Sequence, residues 1–225
     1  MIPTGTDRQP REGHATMPTS ADHRGATRAF IAGAAGTTLA GVLVQTLVIP
    51  TTDVADDRWS YPWDTEEFVA ISLLYVIFHL LVTAGLVAFG RSGVAGNSRL
   101  ARRGIALAVT GTLILTAGEI VGLPIRDASI DDTSAQLVGA VFGLGVLLSA
   151  AGLLMVGVAT LRTPVWRDWR RYTPLAAGTW TTILVVLPLA IPKALPGSVA
   201  IYGTCLLAMA LALHRELSNP RSLTS

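Results

Sequence analysis

GIALAVTGTLILTAGEIVGLP, residues 104–124, is a run of 21 residues with one charge, Glu119. A helix needs about 20 mostly apolar residues to cross the ~30 Å hydrocarbon core of a bilayer. This run meets that requirement, and a helix that is apolar on every side belongs in lipid or in the core of a large protein. The whole chain points the same way. Of 225 residues, 51% are hydrophobic and only 14% are charged, against about 25% charged in an ordinary soluble domain.

Five further runs have the same character, at about 29–50, 67–90, 136–161, 174–192 and 198–214. The expectation is an all-α bundle of six transmembrane helices over residues 28–214. A polar tail (1–27) precedes it and a short one (215–225) follows. The first tail is rich in Pro, Gly, Ser and Thr, a composition that buries no core. It is not read as a signal peptide, because about 27 polar residues precede the first apolar run. Met17 offers an alternative start.

Arginine sets the expected direction. Arg8, Arg11, Arg24 and Arg28 precede the first run. Arg91, Arg99, Arg102 and Arg103 lie between the second and third, and Arg162, Arg167, Arg170 and Arg171 between the fourth and fifth. Arg215 and Arg221 follow the sixth. The other three connections hold one basic residue each, Arg58, Arg126 and Lys193. Basic short loops stay cytoplasmic, so both termini are expected on the cytoplasmic side of a bacterial plasma membrane. The acids cluster on the opposite side, from Asp53 to Glu67 and from Asp127 to Asp132.

The boundaries carry their own chemistry. Asp64 is placed to cap the second helix, with Glu67 three residues on completing a capping box. Trp59, Tyr61 and Trp63 read as an outer aromatic belt. On the inner side, Trp166, Arg167, Trp169, Arg170 and Arg171 read as an anchor for anionic lipid head groups. Mixed basic and aromatic residues also occur in nucleic-acid binders, but on a short loop between two spans nucleic acid is not expected as a partner.

Inside lipid, close approach of small residues holds helices together. Ala32, Gly36 and Ala40, flanked by Gly33, Thr37 and Gly41, form one such face; Gly139 and Gly143 form another, within the chain or between copies. A shift of 74 residues aligns Arg28 with Arg102, Thr38 with Thr112, Gln45 with Glu119 and Pro50 with Pro124. This suggests three helical hairpins built from one unit. Pro188 is expected to kink the fifth helix.

Glu119 lies about 7 Å inside the expected outer end of its helix. Gln45 reaches the same depth on the first run, Arg126 stands two turns further on, and His79 lies deeper on the second. Ionisable groups inside a membrane are expensive and commonly functional. Gln45, Glu119, Arg126 and His79 therefore define a candidate outward-facing polar pocket. The competing reading is a Glu119–Gln45 hydrogen bond that glues two helices.

Bis-histidine haem is disfavoured, since His214 lies at the opposite end of its helix. The single Cys205 reads as a small apolar residue. TTDVADD and DASIDD lack the ordered spacing of a Ca²⁺ loop. There is no GxxxxGK[ST], HExxH, GxSxG or CxxC motif, so no metal, cofactor or enzyme class is specified. Three functions stay open: a small transporter or permeation protein, a scaffold or accessory subunit, and a membrane enzyme acting on lipid or quinone.

RWSYPW after the first run, FHLLVTAGLVAFG in the second and ALPGSVAIYG before the sixth resemble segments of six-span membrane proteins of high-GC actinobacteria with no assigned activity. The resemblance covers about residues 28–214. It implies a plasma-membrane location and carries over no functional residue.

Overall fold

The computed structural model describes residues 20–218, which are helical throughout apart from the connections and form no strand. Residues 1–19 and 219–225 of the two expected tails lie outside the described residues. The rest of both tails is helix. The first helix starts at Ser20, ahead of the first apolar run, and the last continues to Ser218. Packing explains both extensions: Thr27 is fully buried, and Glu216 is held by Arg170 at 2.8 Å.

Six helices follow one another: α1 (Ser20–Leu43), α2 (Thr65–Arg91), α3 (Arg99–Gly122), α4 (Thr133–Leu161), α5 (Thr173–Ala190) and α6 (Leu195–Ser218). α1 continues through a π turn, Val44–Val48, into one last α turn, Ile49–Thr51. Pro50 accounts for that turn, because its ring would clash with a carbonyl one α turn back. Asp64 caps α2 as its position predicts, accepting from the backbone N–H groups of Glu66 (3.1 Å) and Glu67 (2.9 Å). Ser98 does the same for α3 through the Ala101 amide. α5 runs past residue 188 and breaks at Ile191, where φ is −137° and ψ 88°.

Five of these segments are long and apolar enough to cross a membrane: Arg24–Thr51, Thr65–Arg91, Arg99–Ile125, Thr133–Leu161 and Leu195–Ser218. α5, at 18 residues, is the short one and is not among them. Large apolar side chains face outward all round the bundle. Leu39 is 60% exposed, Leu137 64% and Val186 59%. An exterior of this kind suits lipid and not water.

Each helix packs on its neighbours in chain order, and α1 also packs on α6, so the six close into a ring. Small residues occupy the tightest seams. A Cβ on Gly203 of α6 would stand 2.6 Å from the Thr38 amide of α1, and one on Gly145 of α4 would stand 2.9 Å from Leu115 of α3. The expected face of Gly139 and Gly143 is not used this way. Among the described residues, a Cβ on Gly143 would meet nothing within 4 Å, and one on Gly139 would meet Trp59 alone, at 4.0 Å. α4 turns Gly145 and Gly152 to α3 instead, because those two stand over Gly111 and over Gly104 and Ala108.

The two ends of the ring differ. At the arginine-rich end the interior is solid: Phe30, Phe89, Trp166, Leu206, Met209 and Leu213 are at most 1% exposed. The tight α2–α3 connection there turns on Gly93 (φ +74°) and Gly96 (φ +71°), angles that suit glycine. At the acid-rich end the loop after α1 and the loop after α3 pair with each other. Trp59 donates its backbone N–H to the Ala128 carbonyl (3.0 Å) and Ile130 to that of Asp57 (2.8 Å). Arg58 and Ser129 form an isolated antiparallel bridge between the two loops.

Candidate functional site

Below these paired loops lies a cavity of about 520 Å³, within the usual range for small-molecule sites, about 300–1,000 Å³. All six helices contribute a polar side chain to its wall: Thr37, Ser72, Glu119, Ser149, Thr181 and Tyr202. Between them the lining is mostly apolar, with Leu115, Val146 and Leu184 as examples. Trp59, Tyr61 and Trp63 line the side toward the loops, with Asp56 and Arg58.

Glu119 and His79 both line this cavity. Ser72 of α2 and Glu119 of α3 line it from adjacent helices. None of the ion pairs formed among the described residues involves Glu119. Tyr75 and His79 follow Ser72 at i+3 and i+7, so the three share one face of α2. The Tyr75 and His79 rings lie 6.2 Å apart. His79 is about 10 Å further along the axis than Ser72, at 1.5 Å per residue. Its Nδ1 is buried with no hydrogen-bond partner among the described residues, and so is Ser149 Oγ.

The other two residues of the expected pocket go elsewhere. Gln45 turns to the start of α6, where its Oε1 accepts the Gly197 amide at 2.9 Å. It neither lines the cavity nor bonds Glu119. The π turn carries Gln45, and the neighbouring helix at that point is α6. Arg126 does not fold back toward Glu119. It donates to the Leu123 carbonyl at 3.1 Å and approaches Asp127 at 3.8 Å, because α3 gives way to a 3₁₀ turn at Leu123–Ile125.

The aromatic residues are also redistributed. Trp59, expected at the lipid interface, packs on Phe142 with ring centroids 6.2 Å apart, and Tyr61 and Trp63 face the cavity beside it. Backbone pairing between the two acid-rich loops draws them over the cavity. Trp166 is a core residue, 1% exposed and edge-on to Phe89 at 5.7 Å. Trp169 and Tyr172 remain exposed, and Arg167 points to solvent. Arg170 is engaged by Asp168 (2.9 Å) and Glu216 (2.8 Å), and Arg171 lies over the Tyr172 ring.

Ser72, Tyr75, Phe142, Ser149 and Tyr202 were not among the expected site residues. The polar i, i+3, i+7 spacing of Ser72, Tyr75 and His79 was a readable signal. Nothing in the sequence set Ser149 apart from other small residues. Compared with protein families, curated proteins and solved structures, the chain matches none.

Proposed function

We propose that the chain is an integral membrane protein of the plasma membrane, crossing it six times with both termini in the cytoplasm. Its cavity is the outward-facing solute site of a small transporter or permeation protein. The arginine distribution supports the orientation. α5 spans about 27 Å at 1.5 Å per residue, which nearly matches the hydrocarbon core. The three consecutive hairpins of the ring fit descent from one repeated unit, and the resemblance to actinobacterial six-span proteins agrees with a plasma-membrane location.

One observation carries the transport reading. Glu119 and His79, on different helices, open into one cavity under the acidic loops, while the other end of the ring is filled by Phe30, Phe89 and Trp166. Such an arrangement admits a solute from one side and bars it from the other. The test is flux into proteoliposomes. Wild-type protein should move a protonated or cationic solute, and Glu119→Gln should abolish the flux while inserting normally. Undiminished flux in the variant refutes the reading.

A scaffold or accessory subunit is the second reading. It draws on Gly143, where an added Cβ meets none of the described residues within 4 Å, which leaves room for a helix of another protein. In that case Gly143→Leu would abolish recovery of a copurifying partner and leave flux unchanged.

A further inference from the structure

We infer that the cavity binds an organic ammonium ion with an apolar body, its nitrogen at Glu119 and its body against the apolar wall below. The inference rests on the solute-site reading and names the class of solute.

Charge is the first argument. Glu119 is the only carboxylate among the described lining residues apart from Asp56 in the outer loop. The connections at that end supply three basic groups, Arg58, Arg126 and Lys193; Arg58 lines the loop side of the cavity, and none of the three forms an ion pair with Glu119. Arg126 donates to the Leu123 carbonyl and approaches Asp127 at 3.8 Å, and Lys193 is drawn to Asp56 at 3.5 Å. The carboxylate therefore lines a mostly apolar space in which no protein cation pairs with it, Arg58 being among the loop residues of the wall. A carboxylate in such surroundings is stabilised by a positive partner, and the cavity leaves room for one to arrive from outside.

Shape and ring chemistry agree. Phe142 packs beside Gly118, the residue preceding Glu119, and the Tyr75 ring stands one turn below Ser72 on the facing helix. Ring faces attract an ammonium group and do not attract an anion. Deeper in, Leu115, Val146 and Leu184 provide an apolar wall for the body. His79 Nδ1 and Ser149 Oγ lie there unpartnered, and each is able to accept a hydrogen bond from a donor at the far end of the solute. A quinone or other neutral amphiphile would use the wall and these deep groups but would leave Glu119 without a countercharge.

The test uses three probes that differ only in the head group: 4-phenylbutylammonium, 4-phenylbutanol and 4-phenylbutyrate. Binding to the full chain in detergent is measured by equilibrium dialysis against detergent alone. The ammonium should bind about tenfold or more tightly than the alcohol, as expected for a charge-assisted contact away from water. The carboxylate should bind most weakly. Glu119→Gln should bring the ammonium down to the alcohol's affinity. Equal affinity for ammonium and alcohol in the wild type overturns the inference, as does tighter binding of the carboxylate. A preference that survives Glu119→Gln also overturns it, and so does no binding of any probe above the detergent blank. The wild-type comparison stands even if the variant fails to fold. Ammonium binding without flux in proteoliposomes would sink the transport reading and leave this inference intact. Glu119-dependent flux of another solute without ammonium binding would do the reverse.

Discussion

Gln45, in the π turn that extends α1, accepts the backbone amide of Gly197 of α6 at 2.9 Å, across 152 residues of sequence. The bond lies on the seam where the first and last helices close the ring. It also occupies one of the N–H groups that the first turn of a helix leaves without an intrahelical partner. Glu119, its counterpart under the 74-residue shift, belongs instead to the wall of the cavity.

Gln45→Leu should therefore lower stability and spare solute binding. The bond is partly buried, so a loss of about 1 kcal/mol is expected. Thermal melting in detergent checks the first half, and dialysis with the ammonium probe checks the second. Equal melting temperatures for Gln45→Leu and wild type would show that the seam does not depend on this bond.

The glycines separate seam from surface. Gly203→Val places methyl groups against the Thr38 backbone and should cost about 1–3 kcal/mol or more through overpacking. Gly143→Val meets open space and should change the melting temperature little. The prediction fails if the two variants melt together.

The connection between α4 and α5 has a pH signature. The side-chain hydrogen bond from Arg170 holds the Asp168 carboxyl below its ordinary range, with the neighbouring charge adding to the effect. A carboxyl whose folded pKa is depressed stabilises the fold above its unfolded value of about 3.9. That contribution disappears as pH falls through the lowered folded value. Wild type should thus melt above Asp168→Asn at about pH 7, and the gap should close in acid. Asp168 is exposed, so the gap should stay below about 1 kcal/mol. A gap that widened in acid would contradict the assignment.

Orientation is checked by labelling. With Cys205 replaced by Ala, a single cysteine at Asp131 should react with an impermeant maleimide on intact cells. A single cysteine at Asn97 should react only after the cells are opened. The reverse pattern would invert the membrane orientation and turn the cavity to the cytoplasm.

The helices were legible because each is a long apolar run, and Asp64 was legible as a cap because local backbone geometry suffices for it. Glu119 and His79 stood out as ionisable groups in apolar runs, and they do share a cavity. Which way each helix turns was not legible. Lipid is as apolar as a protein core, so hydropathy does not distinguish Leu39, 60% exposed, from Leu213, fully buried. For the same reason Trp166 resembled an interfacial anchor on sequence and is a core residue in the fold. Gln45 and Glu119 match in register, yet the ring gives one a backbone amide and the other a void. That difference arises from the closure of α1 on α6, a contact between the two ends of the bundle.

The plug of Phe30, Phe89 and Trp166 gives this conformation the character of a vessel with one opening. On the transport reading, delivery to the far side would require a second shape in which those rings part, and a solute would favour that shape only by binding it more tightly. Throughput would then follow how often the plug gives way, and the strength of capture above it would set occupancy instead of speed.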